Sequence, residues 1–163
     1  MTIINDIKKL CADANAAYIF MHEDADMINL KIDGFDRGKK FVYVETMRSG
    51  QYVRNPRTRQ LSRVFNARIY FCKFGEYTND NLATPESFGR VSSANVKNDA
   101  IIEAIENEII APFVALLDLP ENMKKFSFGQ PIESFPFQYP PSRFDGNELS
   151  VMLELRFKIP VCR

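Results

Sequence analysis

The tightest constraint on the fold of this 163-residue chain lies near its C-terminal end, in the segment SVMLELRFKIP. In an extended conformation Val151, Leu153, Leu155, Phe157 and Ile159 share one face, and Met152, Glu154, Arg156 and Lys158 share the other. A side-chain period of two belongs to a strand, because successive Cβ atoms point to opposite faces of a sheet. Burying each of these apolar side chains is worth roughly 1.5–3 kcal/mol, so the strand must be covered by another layer. A sheet with helices laid on one face is the simplest answer.

The sequence supplies two candidate covering helices. Ile3, Ile7, Leu10, Ala14 and Ala17 recur at helical spacing while Lys8, Lys9 and Asp13 fall on other faces, which predicts an amphipathic helix over residues 3 to 17. In NDAIIEAIENEIIAPFVALLDLP, Ile101, Ile105, Ile109, Pro112, Phe113, Leu116 and Leu117 form one side and Glu103, Glu106 and Glu108 lie elsewhere. This second helix is long, but Pro112 has no N–H to donate and its ring clashes with the carbonyl four residues earlier. A kink near Glu108, or two abutting helices, is expected there, with Pro120 closing the segment.

The remaining segments read as strands and turns. YIFMH is β-prone, and MINLKID alternates Met27, Asn29 and Lys31 with Ile28, Leu30 and Ile32. After the turn GFDRGKK, FVYVETM puts Phe41, Tyr43 and Glu45 on one face and Val42, Val44 and Thr46 on the other, which suggests a hairpin with MINLKID. Residues 64 to 74 form an apolar run suited to the centre of the sheet. Thr84 and Pro85 suit the start of one helical turn. KKFSFG and IESFPFQY read as short aromatic strands, with Pro136 confining the second to an edge or an irregular path. The expected order is α-β-β-β-β-α-β-β-β in a single domain spanning 1–163. That is a two-layer α+β fold, its mostly antiparallel sheet packed by an N-terminal helix and a long second helix.

Charge is neutral overall, with 21 basic and 21 acidic residues, but it is unevenly distributed. Arg37 to Lys73 carries ten basic residues against Glu45 alone, a local charge of +9, whereas Phe74 to Glu121 carries −7. Within the basic section RSGQYVRNPRTRQLSR, at about 48–63, reads as an irregular or extended arginine-rich arm. Its candidate protein-binding residues are Arg48, Tyr52, Arg54, Arg57, Arg59 and Arg63, since guanidinium groups pair with carboxylates and phosphates through two hydrogen bonds. Three destinations fit this excess: internal pairing with the acidic helix and N-terminus, an acidic protein partner, or nucleic acid. The last is disfavoured by the neutral total and by the lack of a recognisable base-reading motif. Phe135, Phe137 and Phe144 stand in a proline-broken stretch that needs covering by the chain itself or by a partner, and they complete the candidate set.

Catalytic material is sparse. His22 is the single histidine, so a His-rich metal site is ruled out and His22 could serve only as a lone base, with Glu23, Asp24 and Asp26 beside it. Asp33 and Asp36 could join those acids in a weak cation site of oxygen ligands, although a solvated turn is the plainer reading. Cys11, Cys72 and Cys162 have no metal-like spacing and read as reduced thiols, and the seven glycines are too dispersed for a phosphate-binding loop. No cofactor or metal is expected and the chain is read as a non-enzyme, with a small hydrolase using His22 kept as an alternative. No apolar run approaches a bilayer span, and MTIINDIKKL lacks the pattern of a cleaved secretion signal.

The order of FVYVETMRSGQYVRNPRTRQLSRVFNARIYFCKFG, TPES, IIEAIENEIIAPFVALL and SRFDGNELSVMLELRFKI, across residues 27 to 159, resembles that of small tail-associated, tail-completion-like proteins of phages and prophages. The resemblance implies a non-enzymatic role in assembling a ring or tube, through contacts with its own copies or with neighbouring tail proteins. It implies residence in the cytoplasm during assembly and then in the virion. It carries no active-site residues, places Tyr52 to Arg63 as an arm between strands, and places Asp145, Gly146 and Asn147 in the turn before the last strand. Pro112 in the second helix and the proline-rich lead into the final strand depart from the family pattern. A bacterial protein-binding adaptor with a basic docking arm is the other non-catalytic expectation.

Overall fold

The computed structural model describes residues 2–22, 40–45, 50–74, 93–126, 136–139 and 148–161. In chain order the elements are α1 (Thr2–Ala14), β1 (Tyr18–Met21), β2 (Lys40–Val44), β3 (Gln51–Arg54), β4 (Leu61–Phe74) and α2 (Ser93–Ile105). A π-helical turn (Glu106–Ile110) then leads into α3 (Ala111–Leu117), followed by α4 (Pro120–Lys125), β5 (Phe137–Gln138) and β6 (Glu148–Pro160). They build the expected two-layer α+β domain. The sheet runs β1-β2-β4-β6-β5, with β3 paired to the N-terminal end of β4. Every pairing is antiparallel except β1 with β2, which is parallel.

The long strands β4 and β6 pair from Ser62 with Pro160 to Phe74 with Glu148 and form the centre of the sheet. The alternation of β6 settles its faces. Val151, Leu153, Leu155 and Phe157 are buried with Ile3, Ile7 and Leu10 of α1 and with Ile105, Ile109, Phe113 and Leu117 of the second helical run. Val42 and Val44 join this core, while Phe41 and Tyr43 turn to the opposite face and bury with Met21, Tyr70, Cys72 and Met152. Both faces of β4 are buried from Ile69 to Cys72, which explains the weak alternation there, while Asn66 and Arg68 leave the second face exposed nearer its start.

Pro112 has the consequence its chemistry demands. The backbone N–H of Ala111 donates to the carbonyl of Glu106, five residues back, so the helix widens by one residue before the proline and resumes with Pro112 in the first turn of α3. The carbonyl of Glu108 has no donor at position 112, and Asn15 Nδ2 donates to it at 3.1 Å. This bond ties the end of α1 to the π turn. Asn15→Ala should lower the unfolding free energy by about 1 kcal/mol in urea denaturation, because a part-buried carbonyl loses its side-chain partner.

Several local expectations need correction. Of the arm at 48–63, expected to be irregular or extended, residues from Gln51 onward form a β-hairpin, because β3 pairs with Leu61–Val64 and β4 starts three residues earlier than expected. A hairpin between MINLKID and β2 does not form along Lys40–Val44, since β1 and β4 occupy the two edges of that strand. MINLKID itself, with Thr84 and Pro85, lies outside the described residues. KKFSFG does not open as a strand, because Pro120 starts a further helix that includes Lys124 and Lys125.

Candidate functional site

The β3–β4 hairpin presents most of the candidate basic residues. Its loop is fixed by Asn55, whose Oδ1 accepts from the N–H groups of Arg57 at 2.9 Å and Thr58 at 3.2 Å. The backbone closes behind it, Asn55 N–H donating to Gln60 and Arg59 N–H donating to the Asn55 carbonyl, both at 2.9 Å. Pro56 stiffens this turn, and Arg59 takes a left-handed backbone with φ of 55°. Tyr52 is 67% exposed. Arg54, Arg57, Arg59 and Arg63 are exposed and have no ion pair among the described residues. Thus five of the nine candidates, Tyr52, Arg54, Arg57, Arg59 and Arg63, share one projecting element, while Arg48, Phe135 and Phe144 lie outside the described residues.

Phe137 is held elsewhere, at the far edge of the sheet. β5 pairs with β6 through Phe137 opposite Leu153, and the Glu154 N–H donates to the Pro136 carbonyl, so the proline uses its carbonyl at an edge where its missing N–H does no harm. Phe137 and Tyr139 are 57% and 54% exposed and pack edge to face at 5.3 Å. Tyr139 Oη donates to Glu106 Oε1 at 2.7 Å, bridging the sheet edge to the π turn.

An open groove of about 610 Å³ runs between this edge and the helices, lined by Ile110, Val114, Phe137, Val151 and Leu153 with Glu106 and Asp118 among its polar residues. A second depression of about 390 Å³ adjoins it through Glu106, and Asp99, Glu103 and Tyr139 help to line that one. Asp99, Glu103 and Asp118 are exposed and have no ion pair among the described residues. The sequence placed Glu103 and Glu106 off the apolar side of the helix and offered the helix as an internal partner for the basic section, without marking a groove there. The spacing of Asp99, Glu103 and Glu106 puts them on one side, but only β5 standing opposite makes that side a groove.

The rest of the charge excess is partly paired within the chain. Lys40 and Lys73 are cross-strand partners in β2 and β4. Glu108 in the π turn accepts from both, with Lys73 at 2.8 Å, and Tyr18 Oη donates to it at 3.4 Å. Burial alone would raise the Glu108 carboxyl, but the hydrogen bonds and charges of Lys40 and Lys73 outweigh it and hold the group below the ordinary carboxylate value. Burial, and then the Glu108 carboxylate, push the Tyr18 hydroxyl up. Arg68 lies 3.7 Å from Glu45 and 3.6 Å from Glu154 at the surface. Among the described residues the basic section therefore holds both internally paired lysines and arginines without an ion pair, in different parts.

His22 directly follows β1, with Nδ1 3.0 Å from the carbonyl oxygen of Val44, a contact that makes Nδ1 the protonated nitrogen. Glu23, Asp24, Asp26, Asp33 and Asp36 lie outside the described residues. Cys11 and Cys72 are free and buried; burial pushes the Cys11 thiol up to about 12, and burial with the Glu148 carboxylate raises Cys72 well above the ordinary thiol value. In a Cys162→Ser chain, a thiol reagent should label both only at the rate of unfolding. Rapid native-state labelling of either would contradict their burial.

Among the described residues no helix is long and apolar enough to cross a membrane. No protein-family model matches the chain, and no curated protein matches its sequence.

Proposed function

We propose that this protein is a non-enzymatic assembly component of a phage or prophage tail, acting through subunit–subunit contacts. The observation that supports an assembly role is the β3–β4 hairpin: its loop is ordered by its own hydrogen bonds, and its strands and loop together expose Tyr52 and four arginines that have no ion pair among the described residues. Because the backbone of the loop is already ordered, docking costs it the freedom of its side chains but not of its backbone, which favours a defined partner surface. The tail assignment comes from the sequence resemblance and its order of elements.

Disrupting the gene in a phage or inducible prophage that carries it should leave particles without complete tails, and the protein should co-purify with intact virions. Complete, infectious particles from the disrupted strain would overturn the tail role. The same hairpin also favours a second reading, a bacterial adaptor docking on an acidic partner, whose mark is a stable complex in cells that make no particles.

A further inference from the structure

We infer that the groove between β5 and the π turn receives the arginine hairpin of a second copy of this chain. The inference deepens the assembly reading and rests on it. The groove has an apolar floor that includes Ile110, Val114 and Leu153, and its approach carries Asp99, Glu103 and Asp118. The hairpin brings the matching chemistry: Arg54, Arg57 and Arg59 for the carboxylates and the exposed ring of Tyr52 for the apolar floor. The acids and the hairpin arginines lack ion-pair partners among the described residues, so each surface keeps its charge for an incoming group.

The fold keeps the two surfaces of one copy apart. The hairpin pairs with the end of β4 that lies opposite Lys158 to Pro160 of β6, on the edge of β4 away from β6. The groove uses Leu149 to Leu153 of β6 and the far edge beyond it. Along β6 the groove residue nearest the hairpin end, Leu153, and Lys158 are roughly 17 Å apart at about 3.3 Å per residue, and the groove lies on the opposite edge of the sheet centre from β3. The loop at 55–60 projects past the end of the β3–β4 pairing, so it reaches its own groove only by breaking that pairing. Complementary surfaces at diagonal corners make a head-to-tail contact, which continues into a ring or a filament instead of stopping at a two-fold dimer.

The test is sedimentation of the full-length chain across a range of concentrations, at low and high salt, for three proteins. Wild type should form species larger than a dimer, and these should dissociate as salt rises. The hairpin variant Arg54→Glu/Arg57→Glu and the groove variant Asp99→Lys/Glu103→Lys/Asp118→Lys should each self-associate at least tenfold more weakly, with thermal melts confirming that both are folded. Mixed, they should form heteromeric complexes, because the unaltered acidic groove of the first accepts the unaltered hairpin of the second. Arg59→Gly adds an arm in which folding is not at risk. Glycine suits the left-handed position better, so this variant should melt higher while associating more weakly.

Wild-type self-association that survives both charge reversals, or a mixture that stays monomeric, overturns the hairpin-in-groove contact. So does a strictly monomeric wild type, or a hairpin that binds DNA in a salt-sensitive way while self-association ignores its charge. None of these results bears on the virion experiment, which tests the assembly role by itself.

Discussion

Phe113→Ala is expected to lower the unfolding free energy by about 4 kcal/mol, the largest effect of any single substitution considered. Phe113 is fully buried on α3, between the helical layer and the sheet, with its ring 5.5 Å from that of Phe71 on β4 and edge-on to it. Removing the ring takes away its transfer free energy and its aromatic contact. It also leaves a space that cannot collapse, because the paired β4 and β6 fix one wall and the helix resumed after Pro112 fixes the other. Val114, one position on, is only partly buried, and Val114→Ala should cost roughly 1 kcal/mol. Urea denaturation of both variants checks the ratio. A Phe113→Ala loss below that of Val114→Ala would mean that the second helix does not press this face onto β4.

The position of Phe113 was legible in the sequence because Ile105, Ile109, Phe113 and Leu117 repeat every four residues, and Pro112 announced the break in the helix. The faces of β2 and β6 were legible for the same kind of reason, a strict period of two. The hairpin at 51–64 was not. QYVR has no apolar alternation because none of its residues is buried, and β3 is held by backbone pairing to β4 instead of by the core. Asn55, Pro56 and Thr58 looked like loop residues and are, but they form a tight hairpin loop between strands.

The parallel pairing of β1 with β2 was missed because MINLKID, with its clean alternation, looked like the better partner for β2. A four-residue strand with one face half-exposed gives no comparable signal. The groove was harder still. It depends on a two-residue strand after Pro136 standing across from a helix more than twenty positions away in sequence, a juxtaposition that no local pattern encodes.

Glu108→Gln is the second large effect, and it tests whether the lysines of the basic section are held internally. Lys40 and Lys73 face each other across β2 and β4, and without Glu108 two ammonium groups would lie side by side with no carboxylate between them. Surface ion pairs contribute about 0–1 kcal/mol, and breaking a fully buried pair costs about 3–5 kcal/mol. The lysine side chains are 28% and 16% exposed, and Glu108 is 34% exposed, so the cluster falls between these limits. A loss of about 2 kcal/mol at neutral pH is expected.

The sign of the pH dependence follows from the lowered carboxyl of Glu108. A group whose folded value lies below its unfolded value stabilises the fold fully above the unfolded value, and that stabilisation is lost as pH falls through the folded one. The stability gap between wild type and Glu108→Gln should therefore stay constant from neutral pH down to the ordinary carboxylate value of 4.5, then narrow at lower pH. Glu103→Gln is the control: exposed and without an ion pair among the described residues, it should change stability by less than about 0.5 kcal/mol at any pH. A Glu108→Gln gap that widens in acid would reverse the sign of the linkage and remove Glu108 as the counter-ion of Lys40 and Lys73. A gap that closes as expected would assign Lys40 and Lys73 to the fold, leaving the hairpin arginines, which have no ion pair among the described residues, to act between molecules.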